Sequence, residues 1–293
     1  MTATAAQTHV RRGSSWQLGR LAMGLLAVTV LSGIALVPLY SPSQPLASLE
    51  AIESGIRWAW LARALHWVSA SGLLVITLAH VVEVLLIRAD QRLSRAQWWR
   101  ALCLAPVVVL AMLSGFVLQG TADASAALAI WRAVVTSTPA IGPSLARLTL
   151  GLTASDLSTV AIHHCATFTL VIVLLSADHA RRLVADSRAL ILTALATLCV
   201  AALITVPLGP PEAPTDGTLL LGPWYLLGLQ GALRLWPVAV GWFAPLLMLA
   251  PLAALPGSDA KRRRWMLLST LALTLGYLGL SVHLLMVATG WAQ

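Results

Sequence analysis

A chain of 293 residues in which 58% are hydrophobic and 10% charged, with a mean hydropathy of +0.83, is too apolar for a water-soluble fold. Its net charge of +8 is no nucleic-acid signature, because the arginines fall in short connections between apolar runs. Cys103, Cys165 and Cys199 lie singly inside such runs without CxxC spacing, which excludes a disulfide set or zinc site and predicts small buried side chains.

Seven apolar segments follow one another at about 17–39, 58–87, 99–119, 157–180, 188–208, 236–256 and 264–290. Each approaches the roughly 20 residues that cross ~30 Å of hydrocarbon, so the expected class is an all-α membrane protein with about seven transmembrane helices. The first run follows Arg11 and Arg12 but is long and lacks a clean small-x-small cleavage site, so it reads as a retained span. Arginines cluster before the first span and between spans two and three, four and five, and six and seven, all on one side. That asymmetry predicts a cytoplasmic N-terminus and an outer C-terminus, in a plasma membrane of the bacterial type. On the outer side, 40–57 and 120–156 are long and carry helical periodicity, which predicts helices lying along the membrane surface. A third long connection, 209–235, contains the run Gly222-Pro223-Trp224-Tyr225.

The second segment carries His66 and His80, fourteen residues apart. On a helix that interval advances ~21 Å and returns to within about 40° of the same face. The fourth segment carries a matching interval of fifteen from His164 to His179, with faces agreeing within roughly 60°, whereas His163 points elsewhere. Two facing helices with histidines at two matching depths can sandwich two planar cofactors, and neutral imidazole is the axial ligand that haem iron accepts. Any one of these histidines alone could equally be hydrogen-bonded in a helix bundle, as is the reading for His283. Two near-equal intervals in adjacent hairpins favour shared cofactors. A zinc site does not suit ligands spread over ~20 Å. Gly19 and Gly33 in the first segment, and Ala101 and Gly115 in the third, repeat the fourteen-residue interval and predict room for two flat macrocycles against the backbone.

From about residue 16 to 182 the chain resembles the cytochrome b of bc-type quinol-oxidising complexes. The resemblance rests on "SGIALVPLYSPSQPLASLEAI", "RALHWVSAS", "LSGFVL" and "WRAVVTSTPAIG", in that order. The fifteen-residue interval and the three further spans are similar to the split, chloroplast-type form. The resemblance implies a di-haem four-helix part over 1–186 and a three-helix part over 187–293. It also implies two haem b groups, held by His66 with His164 near the outer face and by His80 with His179 near the cytoplasmic face. Arg63, one turn before His66, would meet a haem propionate.

Departures from the family pattern are local. Glu83 stands where the family has an arginine, "QGTAD" replaces its Pro-Trp-Gly-Gln, and Pro223 replaces the glutamate of its Pro-Glu-Trp-Tyr. Trp224 and Tyr225 remain as candidates at an outer quinone site, and Arg182 and Asp186 at a cytoplasmic one. The expected function is a membrane electron conduit between a quinone, ubiquinone or menaquinone, and a partner at the outer face. That partner would be an iron-sulfur protein, a c-type cytochrome or another oxidoreductase. A quinol:cytochrome c reductase subunit is the first alternative, and a haem-free transporter or assembly factor the second.

Overall fold

The computed structural model describes the backbone of residues 3–153, 156–180, 187–216 and 218–289, and side chains from residue 18 onward except 178–180. In chain order the helices are α1 (Ala3–Leu36), α2 (Pro45–Glu50), α3 (Ala59–Leu86), α4 (Arg95–Val117), α5 (Ala122–Thr136), α6 (Gly142–Leu150), α7 (Ser158–Ile162), α8 (Thr169–Ala180), α9 (Ser187–Leu203), α10 (Leu227–Leu235), α11 (Val240–Ala253) and α12 (Ala260–Ala288). Among the described residues there is no strand, as a chain solvated by lipid requires of a non-barrel fold. Among the described residues five stretches are long and apolar enough to cross a membrane: Leu18–Leu39, Ala59–Leu86, Arg95–Val117, Ser158–Ala177 and Ala260–Ala288. The chain is a multi-pass membrane protein.

The other two predicted segments are helical but shorter, with 17 residues in α9 and 14 in α11. Proline sets their ends. Pro207 disfavours helix in the residue before it, and the chain leaves α9 at Leu203 instead of running to 208. Pro237 and Pro256 bracket α11 in the same way. The two long connections are helical, as α2 and as α5 and α6, and the third connection contains α10, which its Pro/Gly-rich start concealed.

Contacts divide the chain into two compact units. One comprises residues 1–40, 47–110 and 165–207. There α1 packs along α3, and α9 packs on both. The close approach of α1 and α9 is made at Gly24, whose Cα faces the Thr193 side chain. Ala64, Ala201 and Val206 form one buried cluster with Leu61, Leu65 and Val68 around it; Leu49, Ile52 and Ala59 form another. The second unit comprises 41–46, 111–164 and 208–293. In it α10 packs on α12 and α11, and α5 on α6. The indole N–H of Trp242 reaches the Val134 carbonyl at 2.9 Å and ties α11 to α5.

The outside of these helices is as apolar as the inside. Leu268, Leu271, Leu275, Leu278, Val282 and Leu285 recur at helical spacing along the exposed face of α12, which lipid would cover. The same inversion corrects the cysteines. Cys103, Cys165 and Cys199 are free and exposed, not buried, because a thiol costs little against hydrocarbon. Of the adjacent tryptophans near the start of α4, Trp99 is exposed and Trp98 is buried.

Candidate functional site

His66 lies on α3 with its ring against α1. Its Nδ1 sits 2.9 Å from the Thr29 carbonyl oxygen. A carbonyl can only accept, so Nδ1 carries the proton and the lone pair of the neutral ring is on Nε2. Gly33 makes room for this. A Cβ there would fall 3.0 Å from His66 Cε1 and 3.2 Å from Nδ1, so the missing side chain is the space the imidazole occupies. Ser32, buried, donates to the Thr29 carbonyl at 3.1 Å and lies 3.5 Å from His66 Nδ1. Behind it Thr29 donates to Ser69, which is fully buried on α3.

His164 has the same arrangement in the other unit. Its Nδ1 lies 2.9 Å from the Ala111 carbonyl oxygen of α4. Ser114, fully buried, donates to that carbonyl at 2.8 Å and lies 3.0 Å from Nδ1. A Cβ on Gly115 would meet His164 Cε1 at 2.8 Å. The register repeats: carbonyl at n, serine at n+3, glycine at n+4, on α1 at 29, 32 and 33 and on α4 at 111, 114 and 115. The predicted role of Gly33 and Gly115, small residues beside a bound group, is therefore refined. In this structure each receives an imidazole ring. The two serines were missed, although "LSG" occurs at both places in the sequence. Gly19 is buried on α1.

His163 points elsewhere, its Nε2 donating to the Leu148 carbonyl at 3.1 Å. The π-helical turn His163–Phe168 overlaps the start of the His164 to His179 interval. Such a turn takes up one residue more than an α-turn, the difference between fifteen and fourteen, and it is a frequent mark of functional helices. The side chain of His179, and Arg182 and Asp186 altogether, lie outside the described residues.

His80, in the last quarter of α3, has Nδ1 3.4 Å from Glu83 Oε2, with both side chains largely buried. Arg63, one turn before His66, is buried. Where the sequence suggested a propionate, its described partners are the Glu53 carboxylate and the carbonyls of Val206 and Pro207. These contacts fasten the start of α3 to the extended chain after α9. A cavity of about 410 Å³ opens beside Glu53 and Trp60 at the same end.

Pro223, with φ −63° and ψ 146°, leads into a short 3-10 turn, Trp224–Leu226. The Trp224 and Tyr225 rings meet edge to face at 5.5 Å. Burial pushes the Tyr225 phenol well above its ordinary range, so it stays a neutral donor. Tyr277 of α12 donates to the Tyr225 carbonyl at 2.6 Å. Gln230 holds the loop ahead of the turn, accepting from Gly222 N–H and donating to the Leu220 carbonyl, each at 2.8 Å. Gln230 carried no sequence signal. Among the described residues no three His, Cys, Asp or Glu side chains gather as a metal site.

A family model described as Cytochrome b/b6/petB matches residues 3–183. Cytochrome b of Schizosaccharomyces japonicus is 26% identical over 138 residues, covering 46% of this chain and 36% of that protein. Cytochrome b6 of Tupiella akineta is 26% identical over 136 residues, covering 46% of this chain and 63% of that protein. The chain thus matches less than two thirds of the length of either relative. A solved structure described as a hyperthermophilic respiratory Complex III aligns with a TM-score of 0.67 at 19% identity, covering 94% of this chain and 89% of that one, a likeness of fold.

Proposed function

Because the chain belongs to the cytochrome b/b6 family, we propose that it is a transmembrane electron-transfer subunit holding two haem b groups. It carries electrons between a membrane quinone and a redox partner at the outer face. The observation that supports this most is the repeated seat, in which carbonyl, serine and glycine fix His66 and His164 alike. The donor set suits haem: each ring is neutral, its proton is committed to a carbonyl, and Nε2 holds the lone pair. Haem b, when bound, supplies one-electron chemistry at a potential set by ligands and surroundings.

In this reading His66 and His164 serve one iron near the outer face, and His80 and His179 serve the other, as the near-equal intervals suggest. Gly19 is the small residue at the second depth of α1. Arg63, with five N–H groups, would add a propionate to its acceptors. Arg182 and Asp186 are the candidates for proton exchange with a quinone on the cytoplasmic side.

At the outer face the reading departs from a quinol-splitting enzyme. Oxidising quinol there needs a proton acceptor, and Pro223 cannot titrate. Tyr225, raised by burial, does not replace a carboxylate. The outer face then exchanges electrons with a protein partner, and quinone reacts on the cytoplasmic side. Reconstitution into quinone-loaded liposomes tests this. A one-electron reductant confined to the outer side should reduce both haems and then quinone. Haem reduction that depends on quinol at the outer face, with simultaneous reduction of an iron-sulfur partner, would overturn it.

A further inference from the structure

Glu83 is an acidic side chain on a membrane-spanning helix, mostly buried, one turn beyond His80. An ionised group at such depth is costly unless a partner offsets it. The imidazole is one such partner: Glu83 Oε2 lies 3.4 Å from His80 Nδ1, at the i, i+3 spacing that brings two side chains of one helix together. His66 and His164 offer an internal comparison. Their Nδ1 protons go to neutral peptide carbonyls at 2.9 Å, whereas that of His80 faces a carboxylate.

We infer that Glu83 is a positioning residue that tunes the haem held by His80, through the hydrogen bond from Nδ1–H. The inference rests on the di-haem reading above. A carboxylate acceptor is charge-assisted and polarises the N–H more than a carbonyl does. It fixes the tautomer with the lone pair on Nε2 and makes that nitrogen the stronger base. A stronger base favours the oxidised iron, so the potential of this haem is lower than a carbonyl partner would set it. The glutamate thereby differentiates two otherwise similar bis-imidazole sites. No bond is made or broken and no proton leaves the pair.

The test uses the full-length protein in detergent, with wild type, Glu83→Gln and His80→Ala compared. Haem is counted, midpoints are read by potentiometric titration of the b-type absorbance, and low-spin ferric EPR is recorded. The wave missing in His80→Ala identifies the relevant haem. Glu83→Gln should keep two haems, move that wave upward, leave the other in place, and shift the EPR g-values of the same haem alone. A purely structural role for Glu83 would lower haem content without moving midpoint or g-values. Two haems with both midpoints unchanged in Glu83→Gln overturn the inference and leave the di-haem reading standing. Wild type that retains one haem, or in which His80→Ala loses none, overturns both.

Discussion

Replacing Gly115 by alanine should eject or loosen the haem served by His164. The added Cβ would lie 2.8 Å from His164 Cε1, whereas ordinary contact begins at 3.4 Å. The ring must retreat by roughly 0.6 Å, beyond the ~0.5 Å within which a working site must be held. It cannot retreat freely, because Nδ1 is bound to the Ala111 carbonyl and Ser114 is fully buried beside it. Overpacking costs about 1–3 kcal/mol, and losing the hydrogen bond about 0.5–1.5 kcal/mol. Together they give about 1.5–4.5 kcal/mol, or roughly 10- to 2,000-fold weaker haem retention. Gly33→Ala meets His66 at 3.0 Å and should fall at or below the lower end of that range. Gly276→Ala is the control: nothing lies within 4 Å of its Cβ, so haem retention should not change. Haem transfer to an excess of a scavenging globin, followed by absorbance, measures all three. Retention in Gly115→Ala equal to that in Gly276→Ala would refute the seat.

His163→Ala should keep both haems while His164→Ala loses one, since only His164 occupies a serine–glycine seat; haem quantitation showing the reverse would exchange the two. Arg63→Met leaves Glu53 without its guanidinium and should destabilise by about 3 kcal/mol, more than the Arg63→Met, Glu53→Gln double variant, as read by thermal unfolding in detergent. Tyr225 has a raised folded-state pKa, so its contribution to stability is present below pH ~10 and is lost as pH rises beyond it. Tyr225→Phe should therefore flatten the loss of stability above that pH and leave redox activity unchanged between pH 6 and 8. A reporter fused after Gln293 should be active only outside the cytoplasm if seven segments span; cytoplasmic activity would remove one span.

Helix phase singled out His66 in the sequence, because the fourteen-residue interval to His80 returns to one face whatever the packing. Why the interval from His164 to His179 is fifteen residues was not legible. Ideal helical rotation assumes α geometry throughout, and the π-turn His163–Phe168 depends on hydrogen bonding that no residue pattern announces. Gly33 and Gly115 were found by spacing, but their immediate neighbour is an imidazole, a tertiary contact that spacing cannot assign. Ser32 and Ser114 repeat openly in the sequence, yet a serine on an apolar helix usually bonds its own backbone. Both do so, and their place beside Nδ1 depends on how the helices meet. The cysteines were misread through a rule for water, where apolar means inside; in lipid that rule gives no direction. The short α9 and α11 were marked by Pro207, Pro237 and Pro256, whose effect on helix ends a hydropathy window averages away.

In the proposed function this one chain holds two haems through histidines at two depths. Haem per chain, measured by the pyridine haemochrome on purified protein, addresses it without a partner or a substrate. The wild type should carry two b-type haems, His66→Ala and His80→Ala one each, and the double variant none. A wild type without haem, or one that keeps two after either replacement, would contradict it.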